Sequence, residues 1–202
     1  MTTFGEFPLH EKRALKFARG RVLDIGSGAG RHSLYLQKQG RRVTAIDISP
    51  DLVSLAQAVG VHDARVADIG SKLPFRNGEF DTVILFGNNL GICGTPKKFQ
   101  GMMRELYRIT SSRGRILATT RQPSTTEPVH RRYLQRNVEL GRAVGQMRLR
   151  LILNGKCGSW FDLLLFSPTE LMQLAAKEKW QLAQVFPLKS FEEGYAIVME
   201  KC

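Results

Sequence analysis

An acid and three glycines stand on alternate positions in Asp24-Ile25-Gly26-Ser27-Gly28-Ala29-Gly30. Ahead of them runs the apolar stretch Val22-Leu23-Asp24-Ile25, the pattern of a buried strand. Behind them Arg31 to Gln39 reads as a helix that Gly40 ends. Glycines at such a junction give the backbone conformations closed to other residues and let a ligand come close. The N–H groups and positive dipole end of the next helix favour an electron-rich group. This is the chemistry of a nucleotide-binding turn.

Spacing narrows the nucleotide. The dinucleotide fingerprint G-x-G-x-x-G would need its third glycine where Arg31 stands. A second acid, Asp47, closes the next apolar run, Val43-Thr44-Ala45-Ile46-Asp47. In a doubly wound sheet that position sets a carboxylate against ribose hydroxyls. A third, Asp68, ends a strand expected over Ala64 to Ile69. It reads either as a ligand contact or as a turn-former before Gly70.

The DIGSGAG turn followed by an acid after the second strand resembles the class I S-adenosylmethionine-dependent methyltransferases. The resemblance covers about Gly20 to Thr120 and extends more loosely to the last strands. It implies S-adenosylmethionine as cofactor and S-adenosylhomocysteine as product. It assigns cofactor contacts to Asp24, Gly26, Ser27, Gly28, Gly30, Arg31, His32, Asp47 and Ile48. Farther along it assigns Asp68 to the adenine amino group, Ile69 to the ring face, and Phe86, Gly87 and Asn88 to the same ligand. No spacing of His, Cys and acids reads as a metal site.

The elements that must position these groups follow in order. An N-terminal segment, helical over Leu9 to Ala18, leads into the first strand. Strand two, Arg42 to Ile48, passes to a helix capped by Ser49-Pro50 and ended by Gly60. Strand four, Thr82 to Phe86, is apolar throughout, as a strand covered on both faces should be. It ends in Gly87-Asn88-Asn89-Leu90-Gly91, where doubly wound sheets place reacting groups. Asn88 and Asn89 could position an acceptor there, or serve as residues that tolerate unusual backbone angles. Thr95-Pro96 starts a helix whose Phe99, Met102, Met103, Leu106 and Ile109 share one face, a core stripe. Strand five spans Gly114 to Thr119, and Arg121 follows it, placed to pair with an acceptor carboxylate or phosphate or to lie exposed in a loop.

After Thr120 the rhythm changes. Arg121 to Glu127 reads as a loop and Pro128 to Leu140 as a basic helix. Gln146 to Leu153 alternates apolar and basic residues like a half-buried strand, Asn154-Gly155 is a hairpin turn, and Gly158 to Phe166 returns. Trp160 and Phe161 either line an acceptor pocket or pack the hairpin. Ser167-Pro168-Thr169-Glu170 is a capping box, its helix running to about Lys179, and two strands over Trp180–Phe186 and Tyr195–Glu200 close the chain.

The expected fold is therefore α/β: a doubly wound, mostly parallel seven-stranded sheet with an antiparallel last strand. A helix and hairpin over 121–166 form an insertion across the active-site mouth of one domain, 1–202, whose residues 1–20 are the N-terminal helical segment. A chain of 202 residues, 43% hydrophobic and 24% charged, suits that plan.

Composition limits the partners. No apolar run approaches 18 residues and the start carries no leader pattern, so we expect no membrane span and a cytoplasmic protein. Cys93, Cys157 and Cys202 read as free thiols. Thirty basic against 18 acidic residues give a net charge of +12, and Arg121 to Lys156 holds eight bases and two acids. That stretch is either a solvated face or a surface for an anionic partner.

Activated methyl transfer needs alignment before it needs a base. His32, inside the first helix, reads as a structural or cofactor-contacting residue, with His130 and Tyr133 as weaker base candidates. GNNLG is not the [DNS]-P-P-[YF] motif of nucleobase amino methylation, and Ile92-Cys93-Gly94 is not a Pro-Cys nucleophile. The leading expectation is an enzyme acting on a small-molecule acceptor. The alternatives are an RNA methyltransferase using the basic stretch and a non-catalytic cofactor-binding protein.

Overall fold

The structure, a computed structural model, describes residues 4–124 and 127–202. Residues 1–3 of the N-terminal segment, Thr125 and Thr126 of the expected loop, and the side chain of Leu153 lie outside the described residues.

After a short 3-10 turn (Phe4–Glu6) comes α1 (Leu9–Leu15), and the chain then alternates strand and helix. β1 (Arg21–Ile25), α2 (Arg31–Lys38), β2 (Arg42–Asp47), α3 (Pro50–Ala58) and β3 (Ala64–Val66) form the first half. β4 (Phe80–Leu85), α4 (Pro96–Ile109) and β5 (Thr110–Thr120) continue it. The excursion that follows holds α5 (Pro128–Glu139), β6 (Gln146–Leu149), β7 (Ile152–Leu153), β8 (Lys156–Cys157) and β9 (Phe161–Leu164). α6 (Pro168–Ala176), β10 (Trp180–Pro187) and β11 (Tyr195–Lys201) return to the sheet.

The seven strands lie in the order β10-β11-β5-β4-β1-β2-β3. β3, β2, β1, β4 and β5 pair in parallel, and β11 runs antiparallel to both β5 and β10. The order reverses at β1, so the carboxyl ends of β1 and β4 flank the crevice such a sheet offers a ligand.

Alternate residues of the central strands feed two cores. Leu23, Val83, Leu85, Ile116, Ala118 and Ile197 pack with the α4 stripe and with Trp180 on one face. Val22, Ile84, Phe86, Leu117 and Val198 pack with Ala14, Leu15 and Leu36 on the other. Both faces of β4 are covered, so Val83, Ile84 and Leu85 follow one another with no polar break. Polar atoms inside these cores are partnered where it matters: Trp180 Nε1 donates to Met103 O at 3.0 Å, and Tyr195 Oη donates to Phe166 O at 2.7 Å.

Local signals hold at the helix starts. Ser49, Thr95 and Ser167 each accept a first-turn N–H, and Ser167 and Glu170 complete a reciprocal box. Asn154 and Gly155 take φ of +49° and +76°, the type I′ turn that joins β7 to β8.

Several boundaries move. α1 stops at Leu15 instead of Ala18, because the N–H groups of Phe17 and Ala18 bond three residues back and tighten the last turn toward β1. α6 stops at Ala176 for the same reason, with Lys179 at φ +61°. β3 ends at Val66, which leaves Asp68 and Ile69 beyond the strand. The expected strand Gln146 to Leu153 is two pieces, β6 paired with β9 and β7 with β8.

Candidate active site

A cleft of about 780 Å³ opens at the carboxyl ends of β1, β2 and β3. Ile25 and Gly26 supply its floor from β1, and Ile46, Asp47 and Ile48 its wall from β2. Ala67 to Lys72, the segment after β3, closes one end. Asn89, Ile92 and Cys93 line it from the loop after β4, and one face of α4 completes it with Lys98, Gly101, Met102 and Glu105.

The turn is built around Asp47. One carboxylate oxygen accepts the Gly28 N–H at 2.9 Å and the other the Ser49 N–H at 3.0 Å. Two N–H donors leave lone pairs free on a carboxylate that has about four acceptor sites. Gly26 and Ser27 both donate their N–H groups to Ile46 O, at 2.8 and 3.1 Å. The turn's own amides therefore offer close approach more than free donors. Gly28, at φ +54°, would have nothing within 4 Å of a Cβ, so its open side faces space. At Gly26 a Cβ would collide with the amide of Asn89.

That amide is a strap. Asn89 Nδ2 donates to Gly26 O at 2.9 Å and Ile25 O at 3.1 Å, tying the loop after β4 to the end of β1. Asn88 stands at φ +68° with its N–H on Thr119 Oγ1 at 3.4 Å, tying the same loop to β5.

The opposite wall is clamped from α4. Arg108 donates to Phe75 O, Asn77 Oδ1 and Leu73 O at 2.8 to 3.1 Å, while Glu105 accepts the Leu73 N–H at 2.8 Å and pairs with Arg108. The Arg108 hydrogen bonds, ahead of the opposing effect of burial, hold the Glu105 carboxyl below its ordinary value. The far end of the segment that follows β3 is thus fixed by charge-assisted hydrogen bonds.

The sequence-predicted residues divide into two groups. Gly26, Asp47, Ile48, Asp68, Ile69 and Asn89 line the cleft. Ser27, Gly28, Gly30, Gly87 and Asn88 frame it without lining it. Asp24 is buried beneath the turn, where Ser33 Oγ donates to it at 2.6 Å and joins α2 to β1. Burial pushes the Asp24 carboxyl up, against the pull of His32 and Ser33. Arg31 and His32 turn away to α1: each lies 3.0 Å from Glu11 Oε2. Phe86 packs edge-on to His32 in the core on the other face of the sheet. Arg121 lies exposed just past β5. Among the described residues, no part of the excursion over 121–166 lines the cleft; β9 packs on the loop after β4.

Reasoning from sequence missed the α4 wall. Lys98, Gly101, Met102 and Glu105 follow the i, i+3, i+4, i+7 rule of a single helix face. Met102 belongs to the core stripe and to the cleft at once, 3% exposed with Sδ 3.5 Å from Cys93 Sγ. Burial, and then the carboxylate of Asp68, push the Cys93 thiol up to about 11.

The residues present fit an adenosyl ligand. Ile48 is 65% exposed and Ile92 40%, apolar side chains open to a ring or chain laid between them. Asp47 retains acceptor capacity at the centre and Asp68 stands at the far end, where one oxygen already accepts the Gly70 N–H at 2.7 Å. The buried Ser27 Oγ has no partner, a donor left over in the turn. Residues 22–114, the span that carries all of these elements, match the family profile described as a methyltransferase domain. Over this span the chain is a S-adenosylmethionine-dependent methyltransferase domain.

The solved structure of a S-adenosylmethionine-dependent methyltransferase from Bacteroides fragilis, in complex with S-adenosyl-L-homocysteine, superposes with a TM-score of 0.82 at 26% identity. The match covers 98% of this chain and 78% of that one. Among curated proteins, the mouse 18S rRNA (guanine-N(7))-methyltransferase is 35% identical over 92 residues, 45% of this chain and 33% of that protein. The malonyl-[acyl-carrier protein] O-methyltransferase of Erwinia billingiae is 34% identical over 102 residues, 50% of this chain and 38% of that protein. The matched segment is thus little more than a third of those relatives' length. Among the described residues, no helix is long and apolar enough to cross a membrane, and no cluster of metal-ligating side chains occurs.

Proposed function

We propose that this methyltransferase moves the methyl of S-adenosylmethionine to a small-molecule acceptor. The observation that carries the reading is Asp47, set at the end of β2 between an open glycine turn and two exposed isoleucines. Bound S-adenosylmethionine supplies an already activated sulfonium methyl.

The chain's own residues hold and align. Asp47 would accept ribose hydroxyls with its remaining lone pairs, and Asp68 an exocyclic amine, while Ile48 and Ile69 flank the ring. Ser27 Oγ, orphaned and buried, is a donor for the amino-acid end of the ligand. Asn89 fixes the distance between the turn and the loop after β4, which bears on the acceptor side through Gly87 and Asn88. Alignment of this kind can lower a barrier by about 7–11 kcal/mol, so no proton acceptor is required unless the acceptor must ionise.

Two features favour a small acceptor. Among the described residues the basic excursion contributes nothing to the cleft lining, and a curated relative is an O-methyltransferase. In this reading residues 121–166 form a cap on the acceptor side, with Arg121 at its hinge. The test incubates the protein with methyl-labelled S-adenosylmethionine and a cell extract split into low-mass, RNA and protein fractions. Label in low-mass compounds is the expected result. Label in RNase-sensitive material would transfer the reading to RNA, in line with the rRNA-modifying relative.

A further inference from the structure

Within the excursion a second, small cavity of about 240 Å³ lies between α5 and the β6–β9 ladder. Arg142, Arg148, Tyr133, Gln146, Met147 and Asp162 line it. Two arginines with one carboxylate leave the lining with a net positive charge, and among the described residues neither arginine makes an ion pair. Arg148 stands directly opposite Asp162 in the ladder, yet the two remain unpaired. Both guanidiniums are exposed, and an anion in the cavity would gain charge-assisted hydrogen bonds from them.

The cavity is built rather than incidental. Asn137, 3% exposed, donates Nδ2 to Val144 O at 3.0 Å and Gln146 O at 2.7 Å, and its backbone carbonyl accepts the Arg142 N–H at 2.8 Å. One buried amide thus fixes the loop that carries both Arg142 and Gln146. Tyr133 Oη accepts the Arg148 N–H at 3.0 Å and fixes α5 to β6. A buried network of this sort costs stability unless every member is satisfied, and here it serves to present two unpaired guanidiniums.

The cavity adjoins the cleft. A Cβ on Gly94 would lie 2.5 Å from Asp162 Cβ, and Gly91 packs on the carbonyl of Leu164. The same loop sends Asn89, Ile92 and Cys93 into the cleft, so one loop separates the two sites.

We infer that this cavity is an anion subsite holding the carboxylate or phosphate of the acceptor. At roughly 30 Å³ per water-sized group it admits about eight such groups, a headgroup and not a folded partner. Asp162 at its edge would accept from a hydroxyl or ammonium beside the anion. That the anion belongs to the acceptor rests on the proposed function; the anion site itself stands on Arg142 and Arg148.

The test is an amide-resolved NMR titration of the full chain with inorganic phosphate and, separately, with glycolate. Saturable shifts at Tyr133, Gln146–Leu149 and Phe161–Leu163 are expected with at least one probe, and the stronger probe tells phosphate from carboxylate. Arg142→Gln and Arg148→Gln should each weaken binding by about tenfold, the loss of one charged hydrogen-bond partner. Asp162→Asn should strengthen it, and Arg132→Gln, outside the lining, should leave it unchanged. No saturable shift at these amides, or an equal loss in Arg132→Gln, would overturn the inference. S-adenosylhomocysteine titrated into the same samples reads the cofactor cleft separately, so failure there condemns the methyltransferase reading and not the anion site.

Discussion

The Asn89 amide reaches Gly26 O at 2.9 Å and holds together the two chain segments that meet at the switch point of the sheet. It also occupies the space a side chain at Gly26 would need. The loop after β4 is thereby tied to the end of β1, beyond the ladder that already pairs the two strands. Asn89→Ala should destabilise the fold by about 1–3 kcal/mol, since two carbonyls lose a donor. It should also weaken S-adenosylhomocysteine binding. Chemical denaturation and calorimetry on the same variant check both parts; unchanged affinity would mean the strap does not shape the cleft.

Asp47 has a dual duty that one substitution can expose. Asp47→Asn retains size but exchanges a carboxylate for an amide against the Gly28 and Ser49 N–H groups. Loss of charge-assisted bonds to turn and ligand predicts a fall in S-adenosylhomocysteine affinity of about tenfold or more by calorimetry. Affinity within a factor of two of the parent would remove Asp47 from the site.

Acid should loosen the N-terminal helix in two stages. Burial lowers the pKa of His10 from its ordinary 6.5, although Glu11 pulls it back up. The unfolded chain therefore binds this proton more readily than the folded one, and the stability of the neutral, buried ring is present above pH 6.5 and lost as pH falls below it. For Glu11, burial acts to raise the carboxyl, but His32 and Arg31 outweigh it and the net shift is downward from 4.5. Its contribution is present above pH 4.5 and lost as pH falls through the lowered value. Melting temperature measured from pH 8 down to pH 2 should show both declines. His10→Gln should abolish the first alone.

The three thiols should separate by reactivity. Cys157 and Cys202 are exposed, whereas Cys93 is half-buried against Met102 with its thiol pushed up to about 11. Thiolate is the nucleophile, so at pH 7.5 iodoacetamide should modify Cys157 and Cys202 well before Cys93. S-adenosylhomocysteine should slow Cys93 further because it lines the cleft. Peptide mass mapping over time gives the order, and early modification of Cys93 would contradict its placement.

The features legible in the chain are those whose physics is local. The Asp24 to Gly30 turn needs its glycines for backbone reasons that hold wherever the turn sits, and the caps at Ser49, Thr95 and Ser167 are bonds within one helical turn. Asn154-Gly155 likewise declares its turn. Alternating strand and helix signals with apolar β4 then leave few arrangements other than a doubly wound sheet.

Facing and pairing belong to the tertiary structure. Phe86 directly follows Leu85, the last residue of β4, but extended backbone turns successive side chains to opposite faces, and Phe86 meets His32 instead of the cleft. Arg31 and His32 stand beside the turn in sequence, yet Glu11 on α1 draws both away. Lys98 and Glu105 enter the site from a helix that only packing brings against β2 and the segment after β3. The sequence by itself determined the turn, the acid after the second strand and the order of elements, because backbone stereochemistry and short-range hydrogen bonds act over a few residues. Which side chains share the cleft was decided by the folded chain, because burial and ion pairing act between groups that are neighbours only in space.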